Sequence, residues 1–401
     1  MWRLKTILTL IVLTLLAALL AGCWNRKELD ELGIQMGTAI DKVGHEYHVA
    51  VQVVVPGEVS TRQSGGRSTV TLYKATAPTL FEAFRKLTET SPRKIYSAHI
   101  RVLVLGESLA RDGIANVLDL FSRNPEARPD FYIMVARDTP AEKVLGVLTA
   151  LEKIPAYNLF YSLDTSAKTW APTTTVTMDQ LMEDLTTAGR NPVLTGVTVI
   201  GNTKGGEMKQ SVEQIEPEAR LLNVGLAAFR RDRMVGWLTE EEAKGYNYII
   251  DNVRSTAGHL SCPDGGMVAL ETIRTKTKIK GALVDGKPVI RIHMTNQSNI
   301  SDVECKLDLN DPHTIDQLEE QGRKKLINLM QKTVDNVKKK YKVDIFGFGQ
   351  AIHRANPKAW NQYLEAEWNE LFQQVKVEYE LDVMIRRIGT TVDSIKNDIK
   401  E

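Results

Sequence analysis

The chain has 401 residues, 43% hydrophobic and 25% charged, an ordinary globular composition with length for two or three domains. Lys and Arg number 51 against 50 Asp and Glu, so no global field exists to hold nucleic acid or an acidic polymer. The three cysteines, Cys23, Cys262 and Cys305, are too few for a disulfide framework.

Arg3 and Lys5 open the chain, and an apolar run from Ile7 to Ala21 follows, interrupted only by Thr9 and Thr14. A basic start and an apolar core ending in small residues make a secretory signal. The core is short of the ~20 residues of a comfortable membrane span, so cleavage is expected. Leu20-Ala21-Gly22-Cys23 resembles the bacterial lipobox. Small residues let the extended backbone enter a peptidase site, and the Cys23 thiol is a soft nucleophile able to take a diacylglyceryl group. Two acyl chains suffice for stable attachment, because each buried methylene contributes ~0.8 kcal/mol and one chain alone is marginal. The expectation is a signal over 1–22 and a mature protein beginning at Cys23, anchored on the outer face of the cell membrane. Cys262 and Cys305 could pair in that exported setting, although Gram-positive surface proteins often lack disulfides, and the sequence leaves the matter open.

Residues 33–40 and 45–55, the second rich in β-branched side chains, read as a hairpin with a turn over 41–44. The polar stretch 58–68, with Ser64-Gly65-Gly66, reads as a mobile loop. Leu80, Phe81, Phe84 and Leu87 hold helical spacing after a cap at Thr79, and Ser91-Pro92 stops that helix. A strand over 100–105, a helix over 109–122, a strand over 131–136 and a helix over 140–151 complete a first α+β domain, 23–190. Within it the Thr- and Pro-rich stretch 170–175 reads as a linker, and 178–186 as a helix. Strands over 193–200, 224–229 and 234–238, with a turn over 202–207, suggest a small β-rich middle domain, 191–260. The last domain, 261–401, pairs strands over 268–280 and 287–294 through Asp285-Gly286, a favourable hairpin dipeptide. A long helix over 315–341 has apolar positions Leu326, Leu329, Met330, Val334, Val337 and Tyr341; a shorter one around Trp360, Leu364 and Trp368 and a strand over 375–385 follow. The fold class is therefore α+β and multidomain, with mixed or antiparallel sheets and packed helices.

No candidate site outweighs its bland reading. Ser108 follows a strand and opens a helix, where a nucleophile elbow would sit, but the second elbow glycine is absent and a helix start favours such residues for capping alone. His45 and His48, three apart in a strand, point to opposite faces and cannot share a metal. Gly347-Phe348-Gly349 has two glycines of a dinucleotide fingerprint, but Ile352 stands in the third place and no βαβ unit surrounds it, so a tight turn is expected. Glu240-Glu241-Glu242 and Lys338-Lys339-Lys340 read as solvated charge. No catalytic residue, cofactor or metal ligand is expected.

Several blocks in order carry a resemblance. Cys23-Trp24-Asn25-Arg26-Lys27-Glu28-Leu29 and Gly37-Thr38-Ala39-Ile40-Asp41 open it, followed by Ser91-Pro92-Arg93-Lys94-Ile95-Tyr96 with 99–107, and then Leu151-Glu152-Lys153-Ile154-Pro155-Ala156. Gly225-Leu226-Ala227-Ala228-Phe229, Val235-Gly236-Trp237-Leu238, Asp344-Ile345-Phe346-Gly347-Phe348-Gly349 and Ile385-Arg386-Arg387-Ile388-Gly389 close it. Together they resemble the Ger(x)C family of spore germination lipoproteins; Asn25, where the family more often has Asp, is a departure that leaves the lipidation chemistry untouched. The resemblance implies three α+β domains and no enzyme. It also implies the C subunit of a nutrient germinant receptor, partnered by integral-membrane A and B subunits in the inner spore membrane. The runner-up is a lipid-anchored solute-binding protein of a transporter, which would want two similar lobes of alternating βα units. Neither the germinant nor any direct contact with it is legible.

Overall fold

The computed structural model describes residues 2–20, 28, 31–60, 67–263 and 265–386. Cys23 and most of the polar stretch 58–68 lie outside the described residues. Trp2–Leu20 is helical, and no helix among the described residues is long and apolar enough to cross a membrane.

Nine strands form the first sheet: β1 (Leu32–Val43), β2 (Glu46–Val54), β3 (Val70–Ala77), β4 (Lys94–Tyr96), β5 (Val102–Gly106), β6 (Tyr132–Ala136), β7 (Val193–Gly201), β8 (Ala219–Arg230) and β9 (Arg233–Leu238). Their order is β3-β2-β1-β5-β6-β7-β8-β9, with β4 also beside β1. The centre, β1-β5-β6-β7, is parallel, and antiparallel strands extend it on both sides. Central parallel strands are buried on both faces and read as continuous apolar runs. Alternation divides them: Leu103, Leu105, Ile133 and Val135 face one core, while Val102, Val104, Met134 and Ala136 face the other. Helices Leu80–Lys86, Glu107–Asp112, Ala115–Ser122 and Met178–Thr186 cover the first face; Ala141–Gly146 and Pro155–Thr169 cover the second.

Several expectations need correction here. β1 continues to Val43, so the hairpin turn is shorter than 41–44. The helix expected over 109–122 is broken, because the Ile114 N–H leaves it to bond the Asp232 carbonyl at 3.0 Å. The helix expected over 140–151 ends at Gly146. Pro155–Thr169 is an additional helix, with Pro155 in its first turn and Ala156, Leu159 and Leu163 at helical spacing. The stretch 170–175 is no loose linker: Ala171, Thr173 and Thr174 are buried. Asn247 bonds the Ala171 and Thr173 carbonyls, and Thr174 exchanges bonds with the Thr195 hydroxyl. Residues 191–260 form no sheet of their own, since β7, β8 and β9 extend the first one.

The second sheet has the order β10 (Thr256–Ser261), β11 (Met267–Val284), β12 (Lys287–Val303), β13 (Lys376–Arg386). Asp285 (φ 51°) and Gly286 (φ 74°) turn β11 into β12, a pair of positive φ angles that suits the twist of a two-residue hairpin. β13 runs parallel to β12, which requires a crossover; helices Pro312–Asn336, Phe348–Ala355 and Glu365–Gln374 supply it. The long helix ends at Asn336 and passes into a wider turn over Val337–Tyr341, closed by Lys342 at φ 55°. Leu226 and Leu238 of the first sheet share one core with Ile290, Met294, Val334 and Trp360 of the second unit. Cys262 and Cys305 are joined as a disulfide, Cα to Cα 6.4 Å, beside Leu260, Val268 and Leu270. The class is α+β with mixed sheets.

Candidate interaction surface

β4 sits where the chain re-enters the first sheet, Lys94 opposite Leu32 and Tyr96 opposite Ile34. Behind it the Ser97 hydroxyl donates to the Gln35 side-chain carbonyl at 3.0 Å, and the Gln35 amide donates to the Thr38 hydroxyl. All three residues are buried. The Arg101 N–H bonds the Met36 carbonyl at 2.8 Å, and its guanidinium lies 5.8 Å from the Tyr157 ring centre and 5.5 Å from that of Phe160. The polar residues of this segment therefore lock β1, β5 and the Pro155–Thr169 helix together, which is a structural duty.

Beside β4 opens a groove of about 490 Å³, with Phe84, Ile95 and Leu120 in its wall. Phe81 at its edge is 59% exposed, with the Arg85 guanidinium 5.0 Å above its ring, and Lys94 pairs with Glu126 at 2.6 Å. An apolar floor with a charged rim suits the docking of an apolar side chain from another surface. The sequence reading missed this groove, because its walls come from segments far apart in the chain.

The residues weighed as chemical sites are dispersed. The Ser108 hydroxyl donates to the Lys42 carbonyl at 2.8 Å. His45 lies in the hairpin turn, whereas His48 stands in β2 between Asp41 and Thr76. Glu242 is buried rather than solvated: it accepts from the Thr239 N–H at 2.8 Å and the Asn336 amide at 3.0 Å, forming a capping box for helix Glu240–Ile249. Lys338 donates to the Val375 carbonyl, while Lys339 and Lys340 are exposed.

Gly347-Phe348-Gly349 wraps a buried carboxylate. Asp344 Oδ1 accepts from the N–H groups of Phe346, Gly347 and Phe348 at 3.0–3.2 Å; Oδ2 accepts from Gly349 N–H at 2.7 Å and Trp368 Nε1–H at 3.0 Å. Gly347 holds φ 77°, and a Cβ on Gly349 would stand 2.5 Å from Gly189 Cα and 2.7 Å from Trp360 and Trp368. Burial pushes the Asp344 carboxyl up to about 6, against the pull of the N–H donors. Asp41 is a second such anchor, accepting from the N–H groups of Ala141 and Glu142 at 3.0 and 3.1 Å, with its pKa likewise raised by burial.

Two families match the chain in succession. "Spore germination protein N-terminal domain" covers residues 25–199, and "Spore germination B3/ GerAC like, C-terminal" covers 224–389. Spore germination protein KC of Bacillus subtilis (strain 168) is 28% identical over 403 residues, 98% of each chain. Spore germination protein B3 of the same organism is 25% identical, over 92% of this chain and 95% of that one. The crystal structure of the GerBC protein carries the same fold, with a TM-score of 0.56 and 21% identity, covering 87% of this chain and 96% of that one.

Proposed function

The chain belongs to the Ger(x)C family of spore germination proteins, and on that premise we propose that it is the C subunit of a nutrient germinant receptor. In this reading its body is held on the outer face of the inner spore membrane by a lipid on Cys23, and it assembles with integral-membrane A and B subunits. The observation that carries the reading is collinearity: both halves match, in order, and the match to germination protein KC runs nearly end to end. The role is assembly and signalling rather than catalysis.

Chain reach keeps the groove near the membrane. Leu32 follows Cys23 by nine residues, which span at most about 30 Å when extended. Since Leu32 pairs with Lys94, the groove beside β4 stays within such a distance of a lipid on Cys23. Confinement raises the effective concentration of the body for membrane partners without any new contact. Affinity purification from spore membranes through a tag on this chain tests the reading. Integral A and B subunits should copurify, and Cys23→Ala should reduce their recovery. Recovery of ABC-type permease subunits instead would replace the receptor with the solute-binding reading, and undiminished assembly of Cys23→Ala would remove the anchor from the mechanism.

A further inference from the structure

Between the inner face of β10–β12 and the helices Glu240–Ile249 and Pro312–Asn336 lies a cavity of about 390 Å³, within the size range of small-molecule sites. Its floor is polar in a place where a sheet packed under helices would ordinarily be apolar. Tyr248, Thr272, Asn296 and Ser298 line it, and none is more than 6% exposed. The Thr272 hydroxyl meets the Tyr248 hydroxyl at 3.3 Å, that of Ser298 at 3.4 Å and the Asn296 amide nitrogen at 3.4 Å. Ser298 alone makes a short bond, donating to the Asn296 side-chain carbonyl at 2.8 Å. Buried polar groups cost free energy unless well paired, and contacts of 3.3–3.4 Å are longer than ordinary hydroxyl bonds. This floor has hydrogen-bonding capacity to spare.

The walls are apolar, with Leu270, Leu326 and Val383, and the space is left open by Gly322. A Cβ built there would touch only Val383, at 3.4 Å. Three lysines line it, Lys244, Lys325 and Lys332, and the first two hold carbonyl oxygens at its mouth. Lys244 donates to the Ala257 carbonyl and lies 5.2 Å from the Trp170 ring centre; Lys325 donates to the His259 carbonyl at 2.6 Å. Both carbonyls belong to the edge strand β10, and covering such an edge is one use of a lysine. An ammonium has three donors, however, and these bonds go to carbonyls rather than carboxylates. Burial holds Lys244 and Lys325 below their ordinary pKa; at Lys244 the Lys325 charge adds to this and Glu240 and Glu241 oppose it, while at Lys325 Glu241 opposes it. Apolar walls, a few convergent polar groups and perturbed ammoniums at one opening are the marks of a ligand site.

We propose that this cavity binds a small organic carboxylate, its charged end between Lys244 and Lys325, its apolar body against Leu270, Leu326 and Val383, and the hydroxyl floor beneath it. The proposal does not depend on the receptor reading. The test uses the full chain in lipid nanodiscs, with isovalerate and phenylacetate as probes and their neutral amides as controls, read by saturation-transfer NMR and thermal shift. Saturable binding of a carboxylate, weaker by roughly tenfold or more for its amide and for the Lys244→Gln/Lys325→Gln variant, is expected. Gly322→Leu should abolish binding by filling the space while leaving the protein folded, since leucine is a far better helix residue than glycine. No saturable binding of either acid, or equal binding by the folded Gly322→Leu protein, overturns the proposal.

Discussion

Five N–H groups converge on Asp344, and four of them belong to the backbone around Gly347-Phe348-Gly349. That the glycines make a tight turn was legible, because no βαβ context surrounds them. Why they are glycines was not, because the crowding comes from Gly189, Trp360 and Trp368 elsewhere in the chain. Asp344→Asn should be destabilised by about 2–4 kcal/mol, since a side-chain NH2 must then face N–H donors in place of an acceptor. Denaturant unfolding measures this, and an unchanged midpoint would reject the anchor role. The pH dependence has a definite sign. The folded pKa, about 6, is raised above the 3.8 of an ordinary aspartate, so this group's contribution is fully present below that lower value and is lost as pH rises through 6. The stability gap between wild type and Asp344→Asn should therefore be widest near pH 4 and narrower by pH 8. A gap that widens toward alkaline pH would show that the N–H donors outweigh burial.

Elements with one dominant local signal are legible in the sequence: the Asp285-Gly286 hairpin has a turn dipeptide, and Pro312–Asn336 has a long amphipathic stripe. Elements decided by tertiary partners are not. Residues 109–122 look like one helix until Asp232 takes the Ile114 N–H, and Glu240-Glu241-Glu242 looks like solvated charge until Glu242 is seen capping its own helix against Asn336. The disulfide belongs to this second kind, since spacing alone could not show that Cys262, after β10, meets Cys305, after β12. It closes a separation of 43 residues, for which chain entropy in the unfolded state gives a stabilisation of about 4 kcal/mol. Cys262→Ser/Cys305→Ser should lower the denaturant midpoint accordingly, with Leu260, Val268 and Leu270 the first region to lose amide protection. Identical midpoints for the oxidised protein and the variant would mean that the bond does not form.

At the scale of the whole chain, a boundary near residue 191 does not separate two sheets. The two family matches part between 199 and 224, yet β7 on one side of that gap pairs with β8 on the other through a nine-residue register. β8 and β9 complete a sheet begun by the N-terminal half, and Leu226, Ala228 and Leu238 on them pack into the core of the second unit. Local patterning showed the strands but not their sheet, because pairing between distant segments leaves no periodicity in either one. This interlocking has a consequence for dissection. A fragment of residues 31–201 keeps seven strands but leaves β7 as a bare edge and uncovers Val193 and Leu194, which are 2% and 0% exposed in the intact chain. Unpaired, apolar edges associate. The fragment should elute as soluble aggregate or be insoluble, with poorly dispersed amide signals. Co-expression with residues 202–386 should restore a soluble complex, because that piece supplies β8 and β9 together with the core they enter. A monomeric 31–201 fragment with a dispersed amide spectrum would show instead that the N-terminal half folds without its last two strands.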